Sequence, residues 1–338
     1  MSTAQHIPSP LLFFETISAY QRSAALRAAL ELDIFTAIGE GLQTVQTIAG
    51  RCLASERGVR ILCDYLTVLG FLTKENQHYN LTPDSAMFLN KNSPAYVGGA
   101  ADFLLTPMLL EGFANLAEAV RRGGTALPEA GSVAPEHPVW VEFARAMAPM
   151  TVMPAQLIAK LLEMEPGRKL KVLDIAAGHG IYGITLAQHN ADAEIIALDW
   201  PNVLEVAREN AQKAGVEGRF STIEGSAFDV DFGRNYDVVL LTNILHHFDV
   251  EACKKLLRKV YDALADGGRA VTLEFVPDED RVSPPASAMF SLVMLSSTPS
   301  GDAYTFAEFE QMFKETGFSR CELHQLPPTP QQLIIASK

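Results

Sequence analysis

A chain of 338 residues, 48% hydrophobic and 20% charged, reads as a soluble globular protein too long for one ordinary domain. Its net charge of −13 argues against nucleic acid and other polyanions as partners, since these are bound through a basic footprint. No apolar run reaches the ~18 residues of a membrane span, MSTAQHIPSP shows no secretory pattern, and Cys52, Cys63, Cys253 and Cys321 stand apart without C-x-x-C spacing, so a cytoplasmic protein with reduced thiols and no membrane partner is expected.

Residues 11–38 carry apolar side chains at helical spacing, with Leu26, Leu30, Ile34 and Ile38 along one stripe. Thr44 and Ser55 are suited to start two further helices, and after the second Val59, Leu62, Leu66 and Leu69 share a face that Gly70 ends. Residues 71–81 read as two strands around a polar turn at 75–77. Three helices and a hairpin predict a winged helix over residues 1–100. That fold often binds DNA, but this segment holds seven Lys and Arg against eight Asp and Glu. Its third helix, ILCDYLTVLGFL, is apolar where a base-reading helix presents Arg, Lys, Asn or Gln. Homodimerisation is the role expected of it.

Residues 101–165 are predicted to be helical and to link the two domains, with Gly123 and Gly124 closing one helix and a Pro-containing loop at 127–138 leading to the next. That helix sets Phe143, Met147, Met150 and Met153 at roughly helical spacing. Such a stripe suits a core, and its place ahead of the next domain also suits a substrate wall, because thioethers adapt to flat rings.

The third region, 166–338, opens on KLKVLDIAAGHGIYG at 169–183. A short apolar strand, a glycine turn and a helix start make a pocket of free backbone N–H groups, the pattern of a nucleotide-type site. Two cofactors fit the turn. Gly178, Gly180 and Gly183 satisfy G-x-G-x-x-G with Asp199 about 20 residues on, as NAD requires. Asp174, a carboxylate at the strand tip, suits instead a ligand with an ammonium and a sulfonium group, S-adenosylmethionine.

Strands and helices then alternate: a strand to Asp199, a helix over 202–214, strands at 220–224 and 236–242, a helix over 249–265 capped by Asp249 and stopped by Gly267 and Gly268, and a fifth strand over 270–276. Thr305 and Glu308 form a capping box for a helix ending at Gly317. The closing segment CELHQLPPTPQQLIIASK has two strands joined too tightly for a crossover helix, which requires antiparallel pairing. An α/β, Rossmann-like, mostly parallel sheet ending in an antiparallel hairpin favours S-adenosylmethionine over NAD.

With ALELDIFTAI, YLTVLGFL, VLDIAAGHG, ALDWPNV and the long segment NILHHFDVEACKKLLRKVYDALADGGRAVTLEFV, the chain resembles the class I small-molecule O-methyltransferases of the caffeate, hydroxyindole and bacterial polyketide or phenazine type. The resemblance implies a winged-helix dimerisation domain ahead of a Rossmann-like domain that binds S-adenosylmethionine. It implies that Asp174 with the backbone of Gly178 and Gly180 holds the methionine part and that Asp199 accepts from the ribose. Gly225, Ser226, Ala227 and Phe228 border the adenine, and Trp200 and Thr242 complete the cofactor site. The catalytic base falls on His246, in LHHFD where relatives typically read LHDW, and Glu274 orients it.

A base is chemically needed. A phenol of pKa ~10 at pH 7 is about three units, roughly 4 kcal/mol, from its nucleophilic form, and an imidazole can take that proton as methyl transfer begins. The same comparison places the acceptor pocket at Phe143, Met147, Asn243, Met289, Phe290, Met294 and Thr298, apolar walls for a small aromatic or polyketide-like molecule. His247 is expected to be structural or at the adenine edge. The family's second carboxylate is missing: Ala303 holds its place, and Asp302 is the nearest replacement. Ser226, Ala176 and Ala177 are further departures, and the acceptor atom stays open among oxygen, carbon and nitrogen. No metal is implied, since adjacent His246 and His247 chelate poorly and no other ligand cluster stands out.

Overall fold

In the computed structural model, which describes residues 8–163 and 167–338, the chain divides into two compact units, Met1–Ala101 and Asp102–Lys338. In the first, the stripe expected over 11–38 is broken into α1 (Leu11–Ile17), α2 (Tyr20–Glu31) and α3 (Ile34–Gly39). The second break has a local cause: Asp33 takes a φ of 57°, a left-handed conformation that a continuing helix does not allow. Thr44 caps α4 (Val45–Arg51) by accepting from Thr47 N, and Ser55 caps α5 (Glu56–Val68) by accepting from Gly58 N. The hairpin of β1 (Leu72–Glu75) and β2 (His78–Leu81) turns on Asn76 and Gln77, both with positive φ, as a two-residue hairpin turn demands. After it comes α6 (Pro83–Phe88). Ile34, Phe35, Ile48, Val59, Cys63, Leu66, Leu72 and Tyr79 fill one core, in which no residue of α1 is buried.

The chain continues through α7 (Ala100–Leu104), α8 (Pro107–Ala114), α9 (Leu116–Arg122) and the long α10 (Val139–Leu161). Alternation then begins with β3 (Leu170–Ile175), α11 (Ile181–His189), β4 (Ala193–Asp199), α12 (Pro201–Lys213), β5 (Phe220–Glu224) and β6 (Tyr236–Thr242). It ends with α13 (Val250–Ala263), β7 (Leu264–Glu274), α14 (Pro285–Ser297), α15 (Phe306–Glu315), β8 (Arg320–Gln325) and β9 (Gln332–Ser337). The seven-stranded sheet has the order β5-β4-β3-β6-β7-β9-β8. Pairing is parallel from β5 to β7, and β9 is antiparallel to both β7 and β8.

Both faces of this sheet are covered, as a parallel sheet requires. Leu173, Ile175, Val239 and Leu241 point into one core, while Leu170, Val172, Val238 and Leu240 point into the other. The order reverses between β3 and β6, and ligands of such sheets bind outside the strand C-termini at that reversal. Two boundaries differ from expectation. The helix capped by Asp249 ends at Ala263, and β7 runs through Gly267 and Gly268 because Leu264 pairs with Tyr236 across a register shift in the ladder. Residues 285–297 form a helix, α14, that sequence spacing did not reveal.

Candidate active site

At the C-terminal end of β3 the chain turns through Ala176, Gly178 and Gly180, with φ of 54°, 57° and 73°, before α11 starts at Ile181. Glycine takes such angles freely, whereas Ala176 carries a left-handed strain of about 1–2 kcal/mol. Gly183 serves packing: a Cβ there would stand 2.6 Å from Ile195 Cγ2 and 3.1 Å from Asp174 Oδ2. The third glycine of the dinucleotide-like pattern is therefore demanded by contact of α11 with the strands.

Asp174 is fully buried behind the turn. Its Oδ2 accepts from Gly183 N in the first turn of α11, 3.2 Å away, and its Oδ1 has no partner among the described residues. Burial pushes its carboxyl up to about 7 against the pull of that one donor. Asp199, at the tip of β4, accepts from Gly178 N at 2.8 Å and from Trp200 N at 2.7 Å, and burial pushes it up to about 6. It thus ties the glycine turn to the next strand. Gly225, with φ of 127°, donates from N to Asp199 O and leads into Ser226, Ala227 and Phe228, all half-buried beyond β5. Ser226 Oγ accepts from Phe228 N, Lys259 Nζ donates to Ala227 O, and Phe228 packs edge-on against Phe248. Trp200 packs against the cluster of Ala144, Val203 and Val206, and Thr242 is buried at the end of β6. The cofactor residues named from the sequence thus line the C-terminal ends of four adjacent strands.

His246 lies in a single 3-10 turn, Leu245–His247, just past β6. Its Nδ1 is hydrogen-bonded to Glu274 Oε2, and Glu274 Oε1 also accepts from Leu245 N at 3.0 Å. Both side chains are enclosed, Glu274 completely. Since a carboxylate accepts, the imidazole proton sits on Nδ1 and leaves the Nε2 lone pair unused. Nε2 has no hydrogen-bond partner among the described residues. Gly301 presses on this turn so closely that a Cβ would come within 2.3 Å of His246 O. Asp302 accepts from Ala303 N at 2.8 Å and pairs with Arg281 at 3.5 Å, while Ala303 is fully buried. Among the described residues, no second carboxylate takes a hydrogen bond from His246.

Around this dyad runs a wall of rings. Phe290 meets His246 edge-on at 4.8 Å and stacks on Phe275 at 4.1 Å; Trp140 meets His247 at 5.0 Å and Phe143 at 5.8 Å. Phe143 in turn stacks on His179 of the glycine turn. His179, Trp140, Phe275 and Gln331 were not singled out from the sequence. His179 is buried with its Nδ1 accepting from Ile181 N, and desolvation holds its pKa down at about 4, so it is a neutral part of the turn. Its place between two glycines of the motif was the available signal.

The expected pocket residues divide. Phe143, Met147 and Asn243 are half-buried, Asn243 Oδ1 accepts from Gln331 Nε2, and Met294 is buried. Thr298 is enclosed with its hydroxyl spent on Met294 O and Gly301 N. Met289 stands 65% exposed on α14 and is no part of the enclosed wall, because α14 turns Ser287, Met294, Ser296 and Ser297 inward. The stripe on α10 also splits: Met150 and Met153 are nearly half exposed, since α10 buries Ala144, Thr151, Ala155, Ile158 and Ala159 instead. The end of α14 is held by the segment before α10. Thr125 Oγ1 and Ser132 Oγ donate to Ser296 O and Ser297 O, and Gly124 lies so near Pro299 that a Cβ would be 2.0 Å from its carbonyl oxygen. Among the described residues, no group of three or more His, Cys, Asp or Glu is placed to hold a metal, and no single helix is long and apolar enough to cross a membrane.

A glycine turn at the sheet's reversal and a carboxylate-held imidazole beside an aromatic wall fit a group-transfer enzyme of Rossmann-like architecture. The O-methyltransferase domain family matches residues 113–319 and the O-methyltransferase dimerisation domain matches residues 14–91; the chain belongs to this O-methyltransferase family. A Nostoc punctiforme protein described as an O-methyltransferase is 56% identical in its crystal structure, with a TM-score of 0.95 and coverage of 98% of this chain and 100% of that one. The 3-hydroxy-5-methyl-1-naphthoate 3-O-methyltransferase of Streptomyces sahachiroi is 27% identical over 92% of this chain and 90% of its own length. The tetracenomycin polyketide synthesis 8-O-methyl transferase of Streptomyces glaucescens is 26% identical over 94% of each. An enzyme of this family needs a methyl donor, and the NAD reading falls.

Proposed function

We propose that the protein transfers a methyl group from S-adenosylmethionine to a hydroxyl of a small aromatic or polyketide-like molecule, with His246 as general base and Glu274 as the group that holds it. The observation that carries the base assignment is the hydrogen bond from His246 Nδ1 to the enclosed Glu274 carboxylate, which leaves Nε2 free beside the aromatic wall.

The residues present fit the donor. The positive φ of Gly178 and Gly180 shapes the turn, a Cβ at Gly180 being crowded by Ala207 at 3.1 Å while the nearest atom to one at Gly178 is Phe143 Cε1 at 3.7 Å, and the buried Asp174 Oδ1 lacks a partner among the described residues. Gly178, Gly180, Asp199, Trp200, Thr242 and the segment 225–228 are the groups that would hold it, with Asp174 acting from behind the turn through its charge. S-adenosylmethionine supplies there a methyl group activated on a positively charged sulfur. In this chain Glu274 fixes the tautomer, and Nε2 of His246 takes the hydroxyl proton of the acceptor. Phe290, Phe275, Trp140 and Phe143 exclude water and hold a flat ring in line, the larger part of the rate gain in such a transfer.

If His246→Ala leaves the single-turnover rate of methylation within a few-fold of wild type, the base assignment is wrong; the expected loss is about 10²–10⁴-fold. The homodimer belongs to the same reading. The dimerisation-domain match starts within α1, whose Leu11, Leu12, Phe13, Phe14 and Ile17 are all more than half exposed, an apolar surface that a second copy would bury. Phe14→Glu is expected to shift sedimentation from dimer to monomer; an unchanged dimer would place the contact elsewhere.

A further inference from the structure

The segment 225–230, whose first part borders the expected adenine site, is a short piece of chain with few ties. Gly225 N donates to Asp199 O at 3.0 Å, and Asp229 N and Val230 N both donate to Ser226 O, which closes a single helical turn. The far end of that turn leaves Ala227 O and Val230 O without a backbone N–H among the described residues, as the last carbonyls of a helical turn are left. Lys259, late in α13, takes both. Its Nζ donates to Ala227 O at 2.8 Å and to Val230 O at 3.0 Å, and it lies 4.4 Å from the centre of the buried Phe232 ring. Among the described residues, no other side chain from outside the segment hydrogen-bonds it.

The ammonium is costly where it stands. Lys259 is half-buried, and desolvation holds its pKa below the usual lysine value. An apolar side chain would pack against Phe232 without that cost, so the charge is explained by the carbonyls it holds. Those carbonyls bear on the ligand side. Val230, held by Nζ, sits so close to Gly225 that a Cβ there would stand 2.8 Å from Val230 Cγ1. The place of Val230 thus fixes Gly225, whose φ of 127° turns the chain from the end of β5 into 226–228. We propose that Lys259 is a positioning residue for the methyl donor: by capping the turn at Ala227 and Val230 it sets the segment 225–228 against the nucleoside end of S-adenosylmethionine. Its own Nζ is spent on the two carbonyls and the ring, so it acts through the segment and has no part in the proton transfer at His246. The inference rests on the methyltransferase reading and deepens its donor site.

The test uses Lys259→Met, which keeps an apolar stem and removes the ammonium, and Lys259→Arg, which keeps a cation able to reach two carbonyls. Calorimetry with S-adenosylhomocysteine, a urea melt, and rates with S-adenosylmethionine and 1-naphthol each varied are run on both variants and on wild type. Lys259→Met should weaken S-adenosylhomocysteine about 10-fold and raise KM for S-adenosylmethionine by a similar factor. The kcat at saturating donor and KM for 1-naphthol should stay within about twofold of wild type. Lys259→Arg should recover most of the affinity. A lysine with a structural role alone would lower the urea midpoint and leave the affinity of the folded protein unchanged; that result, or a fall in kcat with donor affinity intact, would overturn the role. Should Lys259→Met fail to fold, Lys259→Gln, which keeps one donor, takes its place, and affinity no weaker than that of Lys259→Arg would overturn the role. If wild type binds S-adenosylhomocysteine and Lys259→Met binds it as tightly, this inference falls alone; if wild type shows no heat with it, the donor reading falls as well.

Discussion

Asp174→Asn separates what the buried carboxylate does for function from what it does to the fold. Asp174 is fully enclosed, accepts from one backbone N–H and titrates near 7 instead of near 4. The native state thus holds this proton more tightly than the unfolded chain. Stability from this group is full below the unfolded pKa and is lost as pH rises through the folded one, the reverse of a salt-bridged carboxylate. From pH 5 to pH 8 the shift spans about two units, so the ligand-free enzyme should lose roughly 3 kcal/mol from Asp174 alone. Asparagine keeps an acceptor for Gly183 N and carries no charge, although burying its amide N–H groups costs about 1–3 kcal/mol. The variant should then be no more stable than wild type at pH 5 and should gain on it steadily up to pH 8, while its affinity for S-adenosylmethionine falls. Urea unfolding at fixed salt across that range measures the difference, with an unchanged m value as the control. Two parallel stability curves would refute the buried charge. A full affinity for S-adenosylmethionine in the variant would refute its part in binding.

Glu274→Gln removes the charge that holds His246 Nδ1–H while leaving an oxygen for Leu245 N. Single-turnover methylation should drop about 10²–10⁴-fold with S-adenosylhomocysteine affinity retained, and rapid-quench kinetics beside calorimetry reads both. Gly124→Ala drives a Cβ to 2.0 Å from Pro299 O, and this backbone cannot swing aside like a side chain. It should destabilise the protein by about 1–3 kcal/mol in urea and raise KM for the acceptor more than for the donor, because the end of α14 is displaced.

Much of the catalytic unit is legible in the sequence because its signals are local. Apolar runs at 172–175, 195–198 and 238–241 are the buried strands, Asp249 and the Thr305 and Glu308 pair cap the helices they precede, and the short link before β9 dictates an antiparallel edge. The parts that escaped depend on what packs where. PASAMFSLVMLSS shows no helical stripe since α14 buries serines whose hydroxyls bond within the helix, and it leaves Met289 and Leu292 outside. The direction of Asp302 is set by Arg281, more than 20 residues away in sequence. The positions of Met150 and Met153 follow from small residues on the other face of α10, which let that helix approach α11 and α12. The enclosure of His247 depends on Trp140, more than 100 residues earlier, which meets its ring edge-on.

Incubation of the enzyme with methyl-labelled S-adenosylmethionine and a panel of phenols, followed by mass spectrometry, bears most directly on the assignment. Transfer of one labelled methyl to a ring oxygen by wild type, with that product greatly reduced for His246→Ala, is the predicted result. Labelled product formed equally by both proteins would contradict the base, and no labelled product from any acceptor, with no heat of binding for the donor, would contradict the function.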